Sequence, residues 1–259
     1  MTVRAGAPLA RFELPTPAPR EVSELLEQVL QNVATADPID REEDERMLRR
    51  LRADTLDVLA TEGYFSPELA VGIDDSGRSR YLLLLNLGAR TQVTEVTIEF
   101  TGELAEKKER ADEFRAGWEL PPGEPFRQER WSAAKTRLLN RIRGRDFAAA
   151  RIADSVALIK AEDATARLRV EIDSGRAFTL GPIEVRGLSR FDRDLVDRFS
   201  NLAEGEPYDA DRLLEFQRRL QRSPFFGTVI VDVDPERAEG SMLPVLVEVR
   251  EARAQRLSF

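Results

Sequence analysis

The chain has neither cysteine nor histidine. Without cysteine there are no disulfides and no thiol chemistry, and the fold is indifferent to the redox compartment. Without histidine, Ser-His and Cys-His catalysis and histidine metal sites are all excluded, leaving carboxylates, Lys, Tyr and Ser/Thr for any chemistry. No apolar run is long enough to span a membrane as a helix; YLLLLNL (81–87) has the length of a strand. The start, MTVRAGAPLARF, lacks the apolar core of a signal peptide, which fits a cytosolic start or an exported chain whose leader has been replaced. Basic charge is outnumbered as well. With 39 Lys and Arg against 47 Asp and Glu, the net charge is -8, the wrong sign for a surface that binds phosphates. The rest, 42% hydrophobic and 33% charged over 259 residues, describes a soluble globular chain with room for one large domain or two to three small ones.

What the chain does contain is a repeat. GARTQVTEVTIEFTGE (88–103) and GRAFTLGPIEVRGLSR (175–190) align with Gly88 on Gly175, Val93 on Leu180, Val96 on Ile183 and Ile98 on Val185. Both read as a strand introduced by glycine, with alternating apolar positions. Further on, GEPF (123–126) matches GEPY (205–208), and each leads into a helix with apolar residues at helical spacing. These are Trp131, Ala134, Leu138 and Ile142 in one copy, and Leu213, Phe216 and Leu220 in the other, where Asp209 is a good N-cap. Each helix ends at an aromatic turn, GRDF or SPFFG, followed by two strands: AAARIADSVALI and ARLRVEID, or TVIVDV and LPVLVEVR. Between the first strand and the long helix lies a shorter amphipathic segment, ERADEFRAGWE or RFDRDLVDRFS.

The first 87 residues fit the same order. LARFEL is the first strand. PREVSELLEQVLQNV (19–33) is a helix with Val22, Leu25, Leu26, Val29 and Val33 on one face. REEDERMLRRLRADTLDVLATEGYF is the second helix, with Leu48, Leu51, Val58 and Leu59 inward and Gly63-Tyr64-Phe65 as its aromatic turn. SPELAVGI and RYLLLLNLG close the unit. The fold expected is α+β: three tandem βααββ domains at 1–87, 88–174 and 175–251, each a three-stranded mixed sheet covered by two helices, with 252–259 leading out. A three-stranded sheet is marginal alone and becomes stable when amphipathic helices cover one face. Gly88 and Gly175 join the units with almost no linker, so limited hinging is expected.

Nothing in the sequence resembles a catalytic constellation, and neither a P-loop nor a dinucleotide-binding glycine pattern is present. DREEDER (40–46) reads as a solvated helix start favoured by the helix dipole. DDSGRS (74–79) lacks the ligand spacing of a calcium loop and reads as a hairpin turn. No catalytic residue, cofactor or metal is expected. Arg127, Arg130, Arg137 and Arg141 lie along one side of a helix, either as a solvated face paired with nearby acids or as a basic patch for anionic lipid or an acidic partner. Trp118 and Trp131 fit the apolar stripe and read as packing residues. The penultimate strand of each unit is a candidate sheet edge, which is either protected by its neighbours or open to strand addition. The partner-binding candidates are Glu68, Leu69, Ala70, Val71, Gly72 and Ile73 in the first unit. In the third they are Thr228, Val229, Ile230, Val231, Asp232 and Val233. A KH-type nucleic-acid array would need a GxxG loop and a basic surface, and the chain has neither.

A βααββ unit with a glycine-led first strand, a GEP-aromatic motif before its second helix and a GYF-like turn resembles the polypeptide-transport-associated (POTRA) domain. Three in tandem resemble the periplasmic arm of TamA-type members of the BamA-like family of outer-membrane β-barrel assembly factors. The resemblance covers nearly the whole chain. It is strongest in FTLGPIEVRGLSRF and PYDADRLLEFQRRLQRSPFFGTVIVDV, and the first unit carries it in ATEGYFSPELAV. It implies a non-enzymatic scaffold in the periplasm of a Gram-negative bacterium that supports insertion of outer-membrane proteins such as autotransporters. It also implies that the first unit docks an inner-membrane-anchored TamB-like partner and the last lies against a C-terminal β-barrel. A BamA-like arm that captures unfolded outer-membrane clients by β-augmentation is the alternative. EARAQRLSF (251–259) resembles the lead into a first barrel strand, so the chain reads as an arm cut before its barrel, with its leader removed.

Overall fold

The structure, a computed structural model, describes residues 9–32, 41–74, 76 and 78–252. Val33, Asp40, Asp75, Gly77 and most of the expected lead-out at 252–259 lie outside these residues. Three three-stranded sheets follow one another along the chain, and the α+β fold expected from the repeat is the one observed. By backbone contacts the chain divides into two compact units, and the division passes through the middle sheet. One unit holds the residues up to Thr97 with Glu119–Ala134 and Val156–Arg169; the other holds Ile98–Trp118, Lys135–Ser155 and the residues from Val170 on. Among the described residues no helix is long and apolar enough to cross a membrane.

The first sheet has the order β1 (Ala10–Glu13), β3 (Tyr81–Asn86), β2 (Glu68–Ile73). The central β3 runs parallel to β1, with Ala10 on Tyr81, and antiparallel to β2, with Val71 on Leu83. Its period of two buries Tyr81, Leu83 and Leu85 on one face. That face is covered by α1 (Arg20–Gln31) and α2 (Arg41–Thr61), whose Val22, Leu26, Val29, Leu51 and Leu59 join the strand residues in one core. Leu48 and Val58 pack at its margin, as their spacing anticipates. Pro19 is the N-cap of α1 and supplies no side-chain hydrogen bond, so burial of its apolar stripe is what holds this helix. Thr55 points its hydroxyl back to the Leu51 carbonyl at 2.6 Å and so enters the core without an unpaired polar atom.

The third sheet repeats this order with β7 (Thr179–Arg186), β9 (Met242–Glu251) and β8 (Phe226–Val233). β7 pairs parallel with β9, and the register shifts between Leu180 and Ile183, where Pro182 has no N–H to give the ladder. In front of the third sheet lie α6 (Arg193–Asp197) and α7 (Ala210–Gln221). The Asp209 carboxylate caps α7 by accepting the N–H of Asp211 at 2.8 Å, and Leu213, Phe216 and Leu220 are buried. The helix expected over RFDRDLVDRFS is a single turn. Glu251, at the end of β9, takes the backbone N–H groups of Ser189, Arg190 and Phe191, and the Ser200 hydroxyl takes that of Leu202, so both flanks are held in turns.

In the middle sheet the order is β4 (Gln92–Thr101), β6 (Thr165–Asp173), β5 (Arg151–Lys160). Along β6, Ala166, Leu168, Val170 and Ile172 are buried and alternate with Arg167, Arg169 and Glu171. The helices are α3 (Glu103–Glu106), α4 (Lys108–Ala116) and α5 (Gln128–Arg143); α5 buries Trp131, Ala134, Leu138 and Ile142 as its stripe requires. The single-turn α3 has no counterpart in the sequence pattern. It exists because the Ser174 hydroxyl accepts the Leu104 N–H at 3.1 Å and the Gly175 carbonyl accepts that of Glu103 at 2.9 Å. Trp118 falls just past α4 and is half-buried.

Two carboxylates beside the first sheet, one read as part of a solvated helix start and one as part of a hairpin turn, are engaged more deeply. Asp44, in the first turn of α2, receives Arg80 through two 2.8 Å hydrogen bonds and the Tyr81 hydroxyl at 2.6 Å. The Arg80 guanidinium holds the Asp44 carboxyl below the usual carboxylate range, and burial together with Asp44 pushes the Tyr81 phenol up to about 12. Asp74, at the end of β2, takes Arg11 Nε at 3.0 Å and the hydroxyls of Ser76 and Ser79, and these donors push its pKa well down. A carboxylate whose folded pKa lies below its unfolded value stabilises the fold above the ordinary carboxylate range and ceases to do so as the pH falls through and below it. Asp44→Asn and Asp74→Asn should each lower the thermal midpoint at neutral pH, and their gap from the parent should close on acidification. Melting curves across acid pH measure this; a gap that stays constant would refute the assignment.

Candidate docking surfaces

The strand that follows the long helix is an outer strand in every sheet: β2, β5 and β8. Successive residues of a strand direct their N–H and C=O groups to opposite sides, so every second residue of an outer strand faces away from the ladder. On β2 the Leu69 carbonyl accepts Arg52 Nη1 of α2 at 2.6 Å, which puts the outward set at Leu69, Val71 and Ile73. Glu68, Ala70 and Gly72 face β3. On β8 the outward set is Val229, Val231 and Val233. There α7 covers the edge: Gln217 Oε1 accepts the Val231 N–H at 2.8 Å, and Gln221 Nε2 donates to the Val229 carbonyl at 3.2 Å. The two candidate edges thus differ. β8 has its central outward donor and acceptor occupied by glutamines, whereas on β2 one arginine holds one carbonyl. The side chains of Thr228, Ile230 and Asp232 stand on the exposed face of β8, and Ile230 is 52% exposed.

Arg127, just before α5, and Arg130, Arg137 and Arg141 within it are placed separately. Arg127 sits on Glu62, with Nε 2.9 Å and Nη2 3.0 Å from the carboxylate, and Nη1 lies 3.4 Å from Glu21. Arg130 pairs with Glu124 at 2.6 Å. Arg141 donates to the Phe114 carbonyl at 3.4 Å, and the exposed Arg137 is itself engaged. Arg127 and Arg130 therefore spend their charge within the chain.

Glu62 leads to a feature that sequence patterns did not flag. Only 5% exposed, its carboxylate also takes Arg90 Nη2 at 3.2 Å while its carbonyl takes Arg90 Nε at 2.9 Å. The next residue, Gly63, has φ +90°, and its carbonyl accepts the Thr91 N–H at 2.8 Å; Thr91 in turn accepts the Phe126 N–H at 2.9 Å. The same relay recurs further along. Asp146, with φ +62°, accepts the Phe178 N–H at 2.7 Å, and Phe178 accepts the Tyr208 N–H at 3.0 Å. The aromatic turn of one repeat and the GEP-aromatic motif of the next are thus two halves of one joint. A Cβ on Gly63 would lie 2.2 Å from the Phe126 carbonyl oxygen. Gly63→Ala should therefore cost about 1–3 kcal/mol from backbone strain alone, more with the clash, while Asp146→Gly should be tolerated. Thermal melts and limited proteolysis across residues 62–91 test this; an unaltered Gly63→Ala protein would dismiss the joint.

Among the described residues no cluster of three or more acidic side chains could hold a metal. The sequence matches the POTRA family model, described as surface antigen variable number repeat, over residues 93–175 and 178–252. No curated protein matches it by sequence. Of solved structures, it is similar to POTRA domains 3–5 of Haemophilus influenzae BamA, at 19% identity over 95% of this chain and 96% of that one, with a TM-score of 0.51. It is also similar to Haemophilus ducreyi BamA lacking POTRA domains 1–3, at 18% identity over 62% of this chain and 29% of that one, again with a TM-score of 0.51. At these identities the likeness is one of fold, and the chain spans less than a third of that second protein.

Proposed function

The chain belongs to the POTRA family, and from that premise we propose that it is the periplasmic arm of an outer-membrane protein assembly factor of the TamA type. Its three modules, 1–87, 88–174 and 175–251, form a non-enzymatic scaffold. The first docks an inner-membrane-anchored TamB-like partner. The last precedes a C-terminal β-barrel that inserts outer-membrane clients, autotransporters among them. The observation that carries the docking role is the outer edge of β2, where the outward groups of Val71 and Ile73 lie beyond the one carbonyl held by Arg52. The partner adds a strand there by β-augmentation, with main-chain hydrogen bonds giving affinity and alternate side chains tuning it. The exposed Ile230 on β8 favours a second reading, in which the third module receives unfolded outer-membrane clients.

Val71→Pro and Gly72→Pro separate folding from docking. The first removes an outward N–H and the second a donor to β3. Val71→Pro should keep most of its thermal stability and lose retention of an envelope partner in pull-downs, while Gly72→Pro should destabilise the first sheet. Full retention by a folded Val71→Pro protein would remove this edge as the docking site.

A further inference from the structure

Each sheet carries helices on one face and leaves the other open, so the three open faces can be compared position by position. Laying the Ile73–Tyr81 pair of the first hairpin on the Val233–Val245 pair of the third puts Leu82 on Leu246, Leu84 on Glu248 and Asn86 on Arg250. In the middle sheet the central strand presents Arg167, Arg169 and Glu171 on the face away from its buried residues. The fold therefore does not require an apolar side chain at the position of Leu84. Only in the first sheet does the central strand place two leucines in succession on that face, and Leu84 is 47% exposed. Leu84 lines a groove of about 650 Å³ together with Glu13 of β1 and Glu68 of β2. Register sets Glu13 beside Leu84 and Glu68 beside Asn86, one carboxylate on each side of the apolar strip.

The charges say what fits. Among the described residues, Arg11 on this face is one guanidinium shared by two carboxylates, Asp74 at 3.0 Å and Glu13 at 3.2 Å. Glu68 has no ion pair among the described residues and accepts only the Asn86 amide at 3.3 Å. Two carboxylates on an acidic chain repel anionic lipid and nucleic acid and attract Lys and Arg. We propose that this face of the first sheet receives an apolar segment of a partner polypeptide flanked by Lys or Arg, its apolar side chains over Leu84 and its cations on Glu13 and Glu68. This rests on the reading of the first module as a docking module and adds a second surface to it, distinct from the β2 edge.

The probes are two labelled peptides of equal length, one alternating Leu with Lys and the other Leu with Glu, titrated against the whole chain by fluorescence anisotropy. The Leu–Lys peptide should bind and the Leu–Glu peptide should not. Leu84→Glu installs the residue that the third sheet carries at this position. It should weaken binding about tenfold or more, the worth of one buried leucine side chain. Glu68→Gln should weaken it severalfold. The sign discriminates: Leu84→Glu adds negative charge, so attraction by net charge alone would make it bind more tightly. Equal or tighter binding by Leu84→Glu overturns the proposal, with Leu84→Ser as a second variant and circular dichroism confirming the fold. If an envelope partner captured through the first module stays on Leu84→Glu, this face is not its seat. If no partner depends on the first module, the proposed function itself fails.

Discussion

A backbone carbonyl on a left-handed residue, directed at the start of the next repeat, is the constraint around which the chain is organised. At Gly63 and again at Asp146 the helix-to-strand turn reverses its backbone so that this carbonyl meets the N–H of Thr91 or Phe178. Those residues pass the connection on to Phe126 and Tyr208. The relay uses main-chain atoms, so it persists while the side chains around it change from Gly63 to Asp146 and from Thr91 to Phe178. Around the first joint, Glu62 gathers Arg90 and Arg127, and Phe65 lies 5.8 Å from Phe126, ring centre to ring centre. A buried carboxylate with two guanidinium partners is costly to expose or to strip of one partner, which favours a single arrangement of the joint.

A second constraint falls on the sheet edges. A three-stranded sheet has two outer strands and few ways to protect them. On β8 the protection comes from α7, whose Gln217 and Gln221 reach over the edge to the Val231 N–H and the Val229 carbonyl. On β2, among the described residues, the corresponding helix reaches the edge through Arg52 to Leu69. Two repeats with the same topology therefore present unequal edges, and the difference lies in the helix facing the strand, not in the strand itself. The open faces diverge in the same way: where the first sheet has Leu84, the central strand of the third has Glu248, and that of the second carries Arg167, Arg169 and Glu171.

Much of the architecture was legible in the sequence because it depends on period. The period of 3.6 in Val22, Leu26 and Val29, and the period of two in Leu83 and Leu85, each mark one face of one element. Repetition of their order along the chain set the number of sheets. Asp209 could be recognised as a cap because capping is local. What depends on distant residues was hidden. Helix α3 owes its turn to Ser174, some 70 positions away, and α6 is cut short at its start by Glu251, some 60 positions away. Asp44 reads as one acid among several in a charged helix start, and its bond to Arg80 is 36 positions distant.

By itself, then, the sequence determined the kind of fold, the number of sheets, the apolar stripes of the longer helices and the absence of cysteine and histidine chemistry, since all of these follow from local spacing and composition. The tertiary structure alone decided how the aromatic turn and the GEP-aromatic motif come together, which outward groups of β2 and β8 are covered, and that Arg127 and Arg130 serve internal acids. Those outcomes rest on contacts between residues far apart in the chain, where a hydrogen-bond donor is matched to its acceptor by the folded backbone and by nothing in the order of the residues.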